Sequence, residues 1–366
     1  MDPTGILELR VDSPSIRLYP VPPPTISDDL LAAAAMTPSA TSPATSSICL
    51  LSGLLSDFTR YSRQEASKWL IDIAHDICDP AQLRGSLLVW KEHQQQWHPV
   101  SATDPLTAST YRYELPSGIT VGLSKISLRA GKSVSAENGD ATAMADRVKG
   151  RDGACWISGS HGPLSNGHIL PKRMGDHLGR LTFQTFMSSD APNLSLPSSI
   201  YNEVFGVSLS ATLDCWFDTY DFGLRHVSPN HYECHMFDTA QVGAVHTIYG
   251  EFLGSTAMAS TLPVLHGHPA SPPQPRHPDN PPAGLFRWHY LQCVLRRFAH
   301  SDYKSLANIT YPELPIKMEG DSDNEGTDSE AEWPSMALDL GRAAEISLEE
   351  HAERQQAVTD WVSTAQ

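Results

Sequence analysis

The segment that most limits what this chain can fold into is an acidic stretch near its C-terminus. Residues 319–332 read EGDSDNEGTDSEAE, and Ala331 is their single apolar residue. Such a segment cannot bury enough apolar surface to offset the loss of chain entropy, so we predict that it is disordered. It belongs to an acidic tail, residues 313–366, with 14 of the 42 acidic residues and 3 of the 26 basic ones. The rest of the chain is nearly balanced in charge, which leaves a nucleic-acid surface possible there.

Cysteine usage and the lack of long apolar runs indicate an intracellular protein. The six cysteines are scattered, without a CxxC pair or a dense framework, as expected of reduced thiols. The N-terminus has no basic segment followed by an apolar core, and the longest apolar runs are far too short to span a bilayer. We therefore expect a nuclear or cytoplasmic protein that is not secreted and has no membrane partner.

Composition and periodicity predict an α+β fold with irregular Pro-rich and acidic segments. The predicted parts are an N-terminal strand segment (1–20), a Pro/Ser/Thr linker (21–47), a small α+β unit (48–138), a larger domain (139–310) and the acidic tail with a terminal helix (313–366). Within the larger domain we predict a core over 148–240, a proline-rich loop over 263–284 and a closing helix over 285–306.

Three local patterns predict the elements of that core. ACWISG and NGHILPKR, within residues 153–173, are predicted to form a two-stranded hairpin that Pro171 ends. ATLDCWFDTY predicts a helix that begins near Ala211 and packs on this hairpin. LRHVSPNHYECHMF predicts a second hairpin with SPN in its turn.

The order of four segments in this region resembles a known nuclease family. RDGACWISG, NGHILPKRMGD, FGVSLSATLDCWFDTYDFG and YECH follow one another between about residues 145 and 240. As an ordered set they resemble the HNH endonucleases, and most of all the variety that is common in fungal genomes. The resemblance implies a ββα-metal unit, in which a hairpin carries a histidine and a helix supplies a metal ligand. It also implies nucleic acid as the substrate, with DNA as the expected form.

The resemblance assigns roles to individual residues. His168 occupies the position of the general base, which takes a proton from the attacking water. Asp214 stands where the family has its second histidine and is the candidate metal ligand, with Asp218 as a further carboxylate. Because these ligands are oxygens, Mg²⁺ or Mn²⁺ is the expected cofactor. Phe205 replaces the family asparagine and cannot form the hydrogen bond that holds the catalytic loop.

Each assignment has a structural alternative that the sequence leaves open. His168 would otherwise be a histidine that completes a core, and Asp214 a solvated aspartate on a helix face. The unit would then be a degenerate, non-catalytic HNH domain that binds nucleic acid or protein. Five basic residues are candidates for phosphate contacts or belong to an ordinary solvated surface: Lys149, Arg151, Lys172, Arg173 and Arg180.

Two further features suggest a second metal and a modifying enzyme. A zinc site would draw on irregularly spaced residues, namely Cys155, His161, His226, His231, Cys234 and His235. In the acidic tail, three hydroxyl residues are each followed by an acid three positions later, the pattern that an acid-directed Ser/Thr kinase reads: Ser322, Thr327 and Ser329.

Overall fold

Alternating apolar residues build the main sheet. The computed structural model describes residues 5–12, 16–18, 47–62, 66–127, 140–187, 195–237 and 265–307. Along β1 (Ile6–Asp12), every second residue is buried in the core, as the alternation predicts. The other strands of this sheet are β3 (Ser47–Leu54), β4 (Ser86–Lys91), β5 (Gln96–Pro99) and β6 (Thr110–Glu114). Their order is β3-β1-β6-β4-β5; β1 and β6 run parallel, and the other neighbours run antiparallel.

Two helices, α1 (Leu55–Ser62) and α2 (Ala66–Cys78), follow β3. The predicted apolar stripe of α2 is buried, with Trp69, Leu70, Ile73 and Ile77 each at most 2% exposed. A parallel pair, β2 (Ile16–Leu18) and β7 (Val121–Leu123), completes this part of the chain. The prediction of an amphipathic helix here is confirmed.

The second half of the chain mixes helices with short sheets, which agrees with the predicted α+β class. Its helices are α3 (Asp140–Asp152), α4 (Gly175–Met187), α5 (Ala211–Asp218), α6 (Ala283–Phe298) and α7 (Ser301–Ala307). Its strands are β8 (Leu164–His168), β9 (Gly206–Ser210), β10 (Phe222–Ser228), β11 (His231–Met236) and β12 (Pro269–Ala270). β10 and β11 form the predicted hairpin, and β12 adds to it as a third strand.

The predicted hairpin within residues 153–173 is wrong in its first strand. Residues 156–158 form a turn, and the Gly159 amide donates to the Cys155 carbonyl over 2.9 Å. β8 pairs instead with β9, which comes later in the chain. A sheet of strands distant in sequence leaves no turn signal between them, which is why the local pattern named the wrong partner.

The closing helix is central rather than peripheral, and it divides at His300 into α6 and α7. α6 is buried on nearly all sides, whereas its sequence stripe predicted a single apolar face. It bonds to the first half of the chain: Trp69 Nε1 donates to the Tyr290 hydroxyl over 2.8 Å, and the Ser127 amide donates to Gln292 Oε1 over 2.8 Å. The predicted parts 48–138 and 139–310 therefore share one core.

Contacts divide the chain into one compact unit over residues 1–313 and a second over residues 314–366. The predicted linker, the terminal helix and the three kinase sites lie outside the described residues. Among the helices that the structure describes, none has the length and apolar character needed to cross a bilayer.

Candidate active site

His168 ends the first strand of a strand–strand–helix arrangement. β8 runs antiparallel to β9, with His168 directly opposite Gly206. The Ile169 amide donates to the Phe205 carbonyl over 2.9 Å and extends the pairing by one bond. α5 begins at Ala211, immediately after β9, where the sequence predicted a helix start. The order of elements is thus the predicted one, with β9 as the second strand.

One face of this two-stranded sheet lies against α3. A Cβ at Gly206 would stand 2.7 Å from Val148 Cγ2 and would overlap Asn166 Oδ1. Directly opposed residues point to the same side of an antiparallel sheet, and residues two apart along a strand do so too. His168 and Asn166 therefore leave the sheet on the α3 side, beside Gly206.

The other face lies against α5. A Cβ at Gly167 would stand 3.1 Å from Asp214 Oδ1 and 3.4 Å from Phe217 Cδ1. The absence of a side chain at Gly167 thus leaves room for the carboxylate of Asp214. Because Gly167 and His168 are consecutive in a strand, Asp214 and the imidazole flank the end of β8 from opposite sides. They are neighbours, but they do not point into one common pocket.

The two candidate metal ligands differ in their surroundings. Asp214 is half-buried with its Oδ1 shielded from solvent, and Asp218 is exposed at the end of α5. Burial raises the pKa of the Cys215 thiol, and the charges of Asp214 and Asp218 act in the same direction. In the described part of the chain, no group of three or more His, Cys, Asp or Glu residues could hold a metal ion. Mg²⁺ commonly binds through one or two carboxylates plus substrate phosphates, so Asp214 fits a site that the substrate completes.

α5 is held in place by a buried histidine of α6. The His289 ring stacks on Phe217 at 3.6 Å between centroids and with an angle of 7° between planes. Its Nε2 lies 3.0 Å from the Phe217 carbonyl and donates to it, since a carbonyl can only accept. This contact fixes the helix that carries Asp214. His168 itself is only 8% exposed, and its Nε2 is shielded from solvent.

Arg151 is a structural residue, and its assignment as a phosphate contact is wrong. The guanidinium is 2% exposed and pairs with Asp152 over 2.7 and 2.9 Å. Its remaining donors bond to the carbonyls of Glu203, Gly206 and Asp279 over 2.8 to 2.9 Å. All five N–H groups are therefore used inside the protein. These bonds fix the backbone on both sides of Phe205.

The other four basic candidates are half-buried and lie on different elements. Lys172 and Arg173 follow the end of β8 in a short 3-10 turn, Arg180 lies on α4 and Lys149 on α3. The first two are thus next to His168 in the chain. Their role toward phosphate stays a prediction.

The predicted zinc residues do not form a cluster within the described ranges. His235 is fully buried, with Nδ1 2.5 Å from the Tyr290 hydroxyl and Nε2 3.2 Å from Glu233 Oε1. His161 is exposed, and its Nδ1 bonds to the Gly153 carbonyl over 2.7 Å. Each ring is engaged by neighbours other than a shared ion site.

Sequence reasoning missed Asn166, which stands two residues before His168 on the same face. Its position in "SNGHI" was the available signal, because alternation places both side chains together. As for relatives, no family model, curated protein or solved structure matches this chain.

Proposed function

We propose that this chain is an HNH-type endonuclease, a hydrolase that cleaves nucleic acid, DNA in the first place, with Mg²⁺ or Mn²⁺. One observation supports this best: His168 ends β8, and Asp214 of α5 contacts the residue just before it. A histidine on a strand end and a carboxylate on the following helix are the two groups that the sequence pattern requires. This reading rests on that pattern together with the strand–strand–helix order.

The two-sided arrangement suits in-line displacement at phosphorus. The attacking and leaving oxygens stand on opposite sides of the phosphorus atom, so the base and the metal ligand belong on opposite sides of the phosphate. His168 takes the proton of the attacking water on the α3 side. A bound Mg²⁺ or Mn²⁺, held by Asp214, supplies charge stabilisation to the phosphate and the leaving oxygen. Lys172 and Arg173 bind neighbouring phosphates.

A plasmid-nicking assay tests the proposal. Wild-type protein should nick supercoiled DNA with Mg²⁺ or Mn²⁺ and should fail with EDTA. Asp214→Asn should raise the metal concentration needed for half-maximal rate, because a neutral amide replaces the anionic ligand. Asp72→Asn is the matched control, since Asp72 is half-exposed and pairs with Lys68 on α2. Nicking that persists in EDTA would contradict the proposal.

A second candidate function is a non-catalytic nucleic-acid-binding module. It is favoured by the enclosure of His168 and by Phe205, which is 1% exposed and packs edge-on against Phe183 in the core. A phosphodiester reaches the imidazole only when neighbouring chain moves aside. Metal-independent, salt-sensitive DNA binding without nicking is the result that this candidate expects.

A further inference from the structure

We infer that Asn166 is a residue of the catalytic site that donates to the scissile phosphate, the polar group that position 205 lacks. This inference rests on the proposed nuclease function. It concerns a residue of β8 rather than the one that the sequence pattern places at the start of β9.

The position of Asn166 is set by the register of the two strands. It lies opposite Ser208, and its Oδ1 covers Gly206, the residue directly opposite His168. The amide thus reaches along the α3 face toward the end of β8, where the imidazole is. Any side chain at Gly206 would fill the space that the amide occupies.

The hydrogen-bonding state of Asn166 indicates a ligand. Both polar atoms of its side chain are shielded from solvent, and neither has a hydrogen-bond partner among the residues that the structure describes. A buried amide left in this state costs about 1–3 kcal/mol per group. Ser208, its neighbour on the same face, is satisfied because its hydroxyl donates to the Val148 carbonyl over 3.4 Å. Opening that admits a phosphodiester to His168 brings it to this amide as well.

The two tasks that one asparagine would perform at position 205 are here divided. Arg151 holds the backbone around Phe205 through the carbonyls of Glu203 and Gly206. Asn166 is left to donate to substrate. In the cleavage step a bond forms between water oxygen and phosphorus, His168 accepts the water proton, and the bond from phosphorus to the leaving oxygen breaks. The Asn166 N–H groups donate to a non-bridging oxygen whose charge grows in the transition state.

Asn166→Leu tests this assignment, because leucine has a similar shape and no donor. We expect the single-turnover cleavage rate to fall about 10²-fold, as for the loss of one preorganised donor. The same substitution should raise the free energy of unfolding, because it removes an unsatisfied buried amide. Ser208→Ala is the matched control and should change the rate by less than about threefold, since this hydroxyl is committed to protein.

A second measurement separates this inference from the proposed function. Protein labelled with ¹⁵N is titrated with a short single-stranded DNA oligonucleotide in EDTA, and the side-chain amide resonance of Asn166 is followed. If wild-type protein cleaves and Asn166→Leu cleaves equally fast, the inference is overturned while the nuclease proposal stands. If wild-type protein does not cleave, a shifted resonance upholds the phosphate contact, and an unshifted one overturns it.

Discussion

Acid should destabilise this protein through His235. The imidazole is 0% exposed on β11, its Nδ1 accepts from the Tyr290 hydroxyl, and its Nε2 donates to Glu233. Burial lowers the pKa of His235 from 6.5 to about 4, although Glu233 acts in the opposite direction. The folded protein therefore keeps this ring neutral at pH values where the unfolded chain protonates it.

The sign and size of the effect follow from that difference. Below about pH 6.5 the unfolded state binds a proton that the folded state excludes, so the free energy of unfolding falls with falling pH. At about 1.4 kcal/mol per pH unit, the loss reaches about 3 kcal/mol near pH 4. No part of it is present well above pH 6.5, where both states are neutral.

Urea unfolding of wild type and His235→Gln, followed from about pH 7 to about pH 4, measures this term. The variant loses hydrogen bonds at every pH, so only the pH dependence is compared. Wild type should lose about 3 kcal/mol more than the variant over this range. Equal losses in the two proteins would refute the assignment of a neutral buried His235.

The remaining predictions concern the packing and charge of the candidate site. Gly206→Ala should cost about 1–3 kcal/mol of stability in urea unfolding, because its Cβ would overlap neighbours, whereas Gly150→Ala, with open space around it, should gain about 0.5–1 kcal/mol. Arg151→Met should cost about 3–5 kcal/mol by stranding a buried carboxylate, whereas Arg147→Met, whose ion pair is exposed, should cost less than about 1 kcal/mol; equal costs would disprove the structural role. Removing basic candidates should lower the salt dependence of DNA affinity by about one unit of slope per lost phosphate contact, with Lys68→Ala as the unaffected control. The residues to replace together are Lys172, Arg173 and Arg180.

Local elements of the site could be predicted from the sequence because their signals are short-range. The helix at Ala211 and the β10–β11 hairpin follow from periodicity and turn residues close in the chain. The pairing of β8 with β9 could not be predicted locally, because α4 and a long connection separate the strands. Burial decided the rest. Arg151 shows only a charge in the sequence, and its internal bonds require Glu203, Gly206 and Asp279 to be brought together by the fold.

The measurement that tests the central claim most directly is the single-turnover cleavage rate of His168→Ala with Mg²⁺, with and without added imidazole. If His168 is the general base, the substitution should lower the rate by about 10²–10⁴-fold. Free imidazole should restore part of the rate, because the substitution leaves a space of the same shape at the end of β8. A His168→Ala variant that cleaves at the wild-type rate would contradict the account.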